Sequence, residues 1–263
     1  MARPGRAQLV GRAYAYWAAA YRRTWRGSIV SSVVTPVLFL AAMGVGLGSL
    51  VDDAQGPQGV AGVSYLAFVA PGLLAATAMQ TAAGEATYPV MASIKWIRTY
   101  HAMLATPLGP TDVLLGHLLW IGTRVLLAAC IYLAVMAGFG AITSPLALLA
   151  VPAALLVGLA FATPIMAFAA IQDNDAGFAA LFRFGIVPLF LFSGTFFPVD
   201  QLPSFLQPIA YLTPLWHGVE LCRGLALGGL EPGRAAVAVG YLLLWVGVGM
   251  ILARAAFHRR LVK

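Results

Sequence analysis

Lysine occurs only twice in this chain, at Lys95 and Lys263, and aspartate and glutamate together nine times in 263 residues. Charged residues of all kinds make up 10%, where a soluble globular domain carries about 25%. That shortage excludes a water-soluble fold. A chain that is 61% hydrophobic, with a mean hydropathy of +0.87, cannot cover itself with polar surface, so lipid must be the solvent for most of it.

Catalytic motifs are scarce as well. Neither lysine follows a glycine-rich loop, which excludes a P-loop nucleotide site of this chain's own. HExxH is absent, and His101, His117, His217 and His258 are widely spaced. His217 and Glu220 form a lone H-x-x-E, better read as polar residues of an interfacial helix than as a metal site. Cys130 and Cys222 have no metal-site spacing, and nothing supports a disulfide between them. Ser193–Gly194 in FSGTFF lacks the glycine two residues earlier that an intramembrane serine nucleophile would want, and reads as small residues for close helix packing. No series of membrane acids suggests a proton relay, which counts against a proton-coupled secondary multidrug transporter. An intramembrane enzyme would want clustered polar residues in the spans, and these are missing.

What is present is a succession of long apolar runs, helical rather than alternating, which sets aside an outer-membrane barrel. Six spans are expected: Gly27–Val51, Val63–Gly84, Ile121–Gly140, Leu146–Ile171, Phe178–Phe197 and Ala235–Ala253. The breaks are the polar loop DDAQGPQG (Asp52–Gly59), GFGAITSP, QDNDAG and a longer segment after Phe197. The first 26 residues, punctuated by arginine, lack the continuous apolar stretch of a signal peptide. They read instead as an amphipathic helix in the headgroup plane, with Leu9, Val10, Ala13, Tyr14, Trp17 and Tyr21 on one face.

Arginine excess sets the orientation, and the net charge of +7 is assigned to it rather than to nucleic-acid binding. With the N-terminus in the cytoplasm, only Arg223 and Arg234 fall outside, and both termini are cytoplasmic. Glu85 then ends span two and Arg124 enters span three at one face, where Arg124 either snorkels to the cytoplasmic surface or forms an ion pair with Glu85 at a cytoplasmic mouth. Residues 85–112 form a cytoplasmic segment whose Ile94, Trp96, Ile97, Met103 and Leu104, beside Lys95, Arg98 and His101, suit docking to a partner. Residues 198–234 are too proline-broken to span and too apolar to float, so two short helices dipping into the outer leaflet and split near Leu212–Pro214 are expected. Pro198 should end the fifth helix, Asp200 sit in the turn and Pro203 begin the first short helix.

These stretches resemble the membrane subunit of type-2 ABC exporters, near the nodulation-factor (lipo-chitooligosaccharide) and daunorubicin-resistance permeases. The resemblance runs through VTPVLFLAAMGVGLGSLV, YLAFVAPGLLAATAMQTAAGEATY and IRTYHAMLATPLGPTDVLLGHLLW. Its most specific part is LFLFSGTFFPVDQLPSFLQPIAYLTPLWHGVELCRGL. The resemblance implies one all-α polytopic membrane domain over residues 1–263, in a bacterial inner membrane, that pairs with a second permease copy and docks two separate ATPase subunits. ATP and Mg would be bound by those subunits, with no cofactor in this chain. Ile94, Lys95, Trp96, Arg98, Thr99 and His101 would couple to the ATPase, and Pro198, Asp200, Pro203, His217 and Glu220 would belong to an external gate. ATP hydrolysis would drive export of an amphipathic or lipid-linked substrate: a lipooligosaccharide, a glycolipid or a hydrophobic drug.

Overall fold

The computed structural model describes residues 5–55, 60 and 62–262. Arg3, Lys263 and the Gly56–Gly59 part of the expected polar loop lie outside the described residues. Helix α1 (Arg6–Tyr21) turns into α2 (Trp25–Leu40), which continues through a π-helical stretch, Ala41–Leu47, into α3 (Gly48–Gln55). Then come α4 (Tyr65–Ala86), α5 (Tyr88–Met91), a π-turn at Ala92–Trp96, and α6 (Thr99–Leu104). The chain continues as α7 (Pro110–Gly138), α8 (Ala150–Ile171), α9 (Ala176–Leu181) and α10 (Val187–Phe192). It closes with α11 (Gln207–Tyr211), α12 (Pro214–Leu227) and α13 (Pro232–Leu261).

Among the described residues, five continuous helical runs are long and apolar enough to cross a membrane: Trp25–Ala54, Tyr65–Trp96, Pro110–Gly138, Pro145–Ile171 and Pro232–Leu261. The fifth expected span, Phe178–Phe197, is instead a shorter apolar run, Ala176–Phe192. It stops where Gly194 takes a left-handed backbone (φ 77°), a conformation that side-chain-bearing residues avoid.

Local chemistry explains several boundaries that differ from expectation. Helix α7 begins at Pro110 rather than near Ile121, because proline suits a first helical turn and Asp112 Oδ2 accepts from the Gly109 N–H at 2.9 Å. TPLGPTD therefore both ends α6 and starts α7. Asp52 is still helical, and its Oδ1 accepts from the Tyr65 N–H at 2.9 Å, placing a carboxylate at the positive end of α4. Helix α13 continues past Ala253 to Leu261, with His258, Arg259 and Arg260 in its last turn, where cations complement the helix dipole.

Helix α8 lies at the centre, packed against α13, α4, α7 and α12. Small residues allow the close approaches. A Cβ on Gly249 of α13 would fall 2.7 Å from Pro164 N of α8, and one on Gly116 of α7 would fall 3.0 Å from Tyr14 N of α1. Helix α4 is the most buried of the long runs, while α2 and α13 expose most of their outer surface.

The apolar face of α1 packs against α7. Ala13 is buried, Trp17 stacks on His117 with ring centroids 4.0 Å apart, and Tyr14 and Tyr21 both approach Trp120. Aromatic stacking against α7 covers this face of the helix.

Candidate functional site

The start of α1 and the end of α13 lie at one end of the bundle, where Arg6 meets Asp112 and His258 meets Thr111, and the candidate site residues before Arg124 gather there. The segment after α4 makes a compact corner. Arg98 is the one non-glycine with positive φ among the described residues (φ 56°), a left-handed conformation costing about 1 kcal/mol. This turn separates the segment's residues by direction. Ile94 and Thr99 are buried and anchor it, with Thr99 Oγ1 3.4 Å from the Tyr16 hydroxyl. Trp96 and Ile97 are 59% and 70% exposed, and Arg98 and His101 are exposed beside them. Of the six residues assigned to coupling, Ile94 and Thr99 therefore present no free surface, because their side chains fill the space beneath the corner.

Lys95 points to a neighbouring loop. Its Nζ donates to the Asp173 backbone carbonyl at 2.6 Å and to Asp173 Oδ1 at 3.0 Å, while Arg260 Nη2 donates to the same Oδ1 at 2.8 Å. Arg260 first and Lys95 second hold the Asp173 carboxyl below its ordinary range. The corner, the α8–α9 loop and α13 are thereby joined at one carboxylate. The sequence offered no signal for this, since the three residues are dispersed along the chain.

A second junction lies beneath the corner. The Tyr100 phenol, whose pKa burial raises well above the ordinary value, keeps its proton and hydrogen-bonds His117 Nδ1. Tyr100 also packs on Phe257 of α13 at 5.5 Å, and His117 on Trp17 of α1. Movement of the corner is thus tied to α1, α7 and α13 by packed rings.

Of the two readings open for Arg124, the pair with Glu85 is the one formed: Arg124 Nε donates to Glu85 Oε1 at 3.0 Å, and both side chains are largely buried. The Arg124 guanidinium also lies 4.5 Å from the Tyr21 ring centroid. Above the pair, between α2, α4 and α7, opens a cleft of about 360 Å³ that includes Thr77, Gln80, Thr81 and Tyr132 in its lining.

At the far end, Arg223 organises the segment after Phe192. Its Nη2 donates to the Gly194 carbonyl at 2.7 Å, its Nε to the Phe68 carbonyl at 3.2 Å and its Nη1 to Glu220 Oε1 at 2.6 Å. Its guanidinium also covers the Phe68 ring at 3.9 Å. Pro198, Asp200 and Glu220 line one hollow of about 310 Å³ with Arg223, whereas Pro203 and His217 lie outside that lining. His217 stacks near Tyr241, with centroids 4.2 Å apart. Two expectations are corrected here. Pro198 does not end the fifth helix, which has already stopped at Phe192; it precedes a 3-10 turn, Val199–Gln201. Pro203 does not begin a short helix either: its carbonyl accepts from Leu206 N at 2.8 Å in a turn, and α11 starts at Gln207 with Pro208 in its first turn. The break before α12 falls at Leu212–Thr213, with the Thr213 hydroxyl capping Trp216 N at 3.2 Å. Among the described residues no group of three or more His, Cys, Asp or Glu comes together to hold a metal, and both cysteines are free thiols.

The profile of the ABC-2 type transporter family matches residues 13–227, from α1 through α12. The chain belongs to the ABC-2 type transporter family. This permease is 34% identical over 256 residues to Nodulation protein J of Rhizobium leguminosarum bv. viciae, covering 94% of this chain and 95% of the relative. It is 32% identical over 253 residues to Nodulation protein J of Rhizobium meliloti (strain 1021), covering 94% of each. A more distant relative is the inner membrane transport permease YadH of Escherichia coli (strain K12), 23% identical over 239 residues, covering 86% of this chain and 85% of that protein. The ABC-2 permease is thus a membrane transport protein, of which the charged corner, the Glu85–Arg124 pair and the Arg223 contacts are parts.

Proposed function

We propose that this chain is the membrane subunit of an ATP-driven exporter in a bacterial inner membrane, moving an amphipathic or lipid-linked molecule outward. A lipooligosaccharide, a glycolipid and a hydrophobic drug are the candidate cargoes. The observation that carries this reading is the corner at residues 96–98. It exposes Trp96 and Ile97, two large apolar side chains, beside Arg98, and is clamped through Lys95 and Asp173 to α13. Such a projection suits a partner's groove, and its rigid ties suit passing a push into the bundle. The partner is a separate ATPase, two copies serving a pair of permeases, with ATP and Mg bound there.

In this reading the end bearing the termini faces the cytoplasm. The contacts support six crossings. Asp173 lies with Lys95 and Arg260 at the terminal end, and Gly194 lies with Phe68 at the start of α4, so the Ala176–Phe192 run climbs from one end to the other. Five crossings would separate the termini, and this run supplies the sixth. The α11–α12 segment folds back at the outer face as a re-entrant cap, with Arg223 as its strut. The whole chain acts as one transmembrane domain.

The test is co-expression with candidate ATPase subunits, copurification, and ATPase activity in lipid nanodiscs. Trp96→Ala and Arg98→Glu are expected to keep the permease folded and to abolish ATPase capture. Unchanged capture by both variants sinks the docking assignment.

A further inference from the structure

The turn between α1 and α2 carries more positive charge than the fold neutralises. Arg22, Arg23 and Arg26 lie close together along the chain, and no acidic residue precedes Asp52. All three arginines are exposed, and among the described residues none of them forms an ion pair. Carboxylates at the same end are already engaged: Glu85 by Arg124, Asp112 by Arg6, and Asp173 by Lys95 and Arg260. A cluster of guanidinium groups without a counterion calls for an anion from outside the chain.

The position of the turn says which anion. Tyr21, just before it, packs on Trp120 of α7 at 5.2 Å and lies 4.5 Å from the Arg124 guanidinium, which holds the turn level with the Glu85–Arg124 pair. Just after it begins the membrane-crossing run Trp25–Ala54. Trp25 is exposed, with the Arg26 guanidinium 5.8 Å from its ring centroid, and an amphipathic ring of this kind sits at headgroup level. Val30 and Val33 follow Arg26 four and seven residues on and so share its face; both are exposed, with exposed Val34 beside them. Val30 lies about 6 Å beyond Arg26 along the helix axis. Charge and apolar surface are therefore stacked in the order of a phospholipid, headgroup first and chain below.

We infer that the α1–α2 turn binds an anionic phospholipid, its phosphate held by Arg22, Arg23 and Arg26 and one acyl chain lying along Val30, Val33 and Val34. The planar fork of arginine suits a phosphate diester. A choline or ethanolamine headgroup brings a cation of its own, for which the turn has no carboxylate, so a headgroup with net negative charge is selected. A soluble phosphate or an acidic protein surface would satisfy the arginines and leave the valines uncovered. The inference goes beyond the export reading and requires only that α2 crosses the membrane.

The experiment uses the full-length permease without ATPase, in detergent mixed with equal amounts of phosphatidylglycerol and phosphatidylcholine of identical acyl chains. Native mass spectrometry counts the lipids retained. Phosphatidylglycerol is expected to be retained about tenfold more than phosphatidylcholine, and each of Arg22→Gln, Arg23→Gln and Arg26→Gln to weaken its binding about fivefold. The double variant Arg254→Gln, Arg259→Gln, which removes two exposed arginines of α13, is expected to leave it unchanged. Glycerol 3-phosphate, which has no acyl chain, is expected not to displace the lipid. Equal retention of the two lipids overturns the assignment, as does an equal loss in the α13 variant, which would report overall charge rather than the turn. Displacement by glycerol 3-phosphate overturns it in favour of a soluble anion. Turn variants that keep phosphatidylglycerol but lose a copurifying ATPase overturn it in favour of a protein interface. If the lipid behaves as expected while no ATPase copurifies, the lipid site stands and the ATP-driven reading falls.

Discussion

Arg260, in the last turn of α13, donates to Oδ1 of Asp173 at 2.8 Å, and Lys95 reaches the same oxygen at 3.0 Å. One exposed carboxylate therefore joins the corner at Lys95 to the C-terminal helix. Its pKa is depressed, so the clamp is fully formed above the ordinary aspartate range, near pH 4, and is lost as pH falls below it. A carboxyl-carbon NMR titration of Asp173 is expected to show a midpoint below that of a free aspartate, moving up in Arg260→Gln and further in the Arg260→Gln, Lys95→Ala double variant. An unmoved midpoint would mean the clamp is not populated.

The left-handed Arg98 invites a backbone test. Arg98→Gly is expected to raise thermal stability slightly or leave it unchanged, by relieving about 1 kcal/mol of strain, whereas Arg98→Val should lower it clearly because a β-branched residue resists that conformation. Thermal unfolding of the two variants in detergent decides this, and equal behaviour counts against the observed backbone.

Glu85 and Arg124 form a largely buried pair, so removing one member leaves the other uncompensated. Glu85→Gln and Arg124→Gln are each expected to cost about 3–5 kcal/mol, and the double variant less than their sum. A double-mutant cycle on unfolding free energy measures the coupling. Simple additivity would show that the pair contributes nothing jointly.

Arg223 makes three hydrogen bonds in three directions, which a lysine cannot reproduce. Arg223→Lys is expected to destabilise the permease by about 2–3 kcal/mol and to speed hydrogen exchange over residues 193–213 while sparing α8. Exchange that rises evenly along the chain would show a global rather than a local strut.

Gly249 and Gly247 lie on the same helix with opposite surroundings. A Cβ at Gly249 would press on Pro164 at 2.6 Å from Cδ, while one at Gly247 meets nothing within 4 Å. Gly249→Ala should cost about 1–3 kcal/mol, and Gly247→Ala should be neutral or mildly stabilising. Matching melting temperatures for the two would contradict the close packing of α13 on α8.

Much of this was readable from residue order. The Glu85–Arg124 pair was legible because both charges interrupt apolar runs at one face, where few partners exist. The break at Leu212–Thr213 was legible because proline and a capping threonine act locally. The start of α7 was not, since TPLGPTD looks like a loop until Asp112 is seen capping the helix it begins. Pro203 misled for a similar reason: proline suits a helix start and a turn equally, and the chain used Pro208 for the helix.

Composition by itself determined that this is a helical membrane protein, because apolar content does not depend on how the chain folds. Tertiary structure decided which side chains share a site. Asp173 with Lys95 and Arg260, Arg223 with Gly194 and Phe68, and Tyr132 with Gln80 are each brought together by helix packing over long separations. The same packing lays the aromatic face of α1 against Trp120 and His117. Hydrophobic pattern states that a face must be covered; only the arrangement of helices states by what.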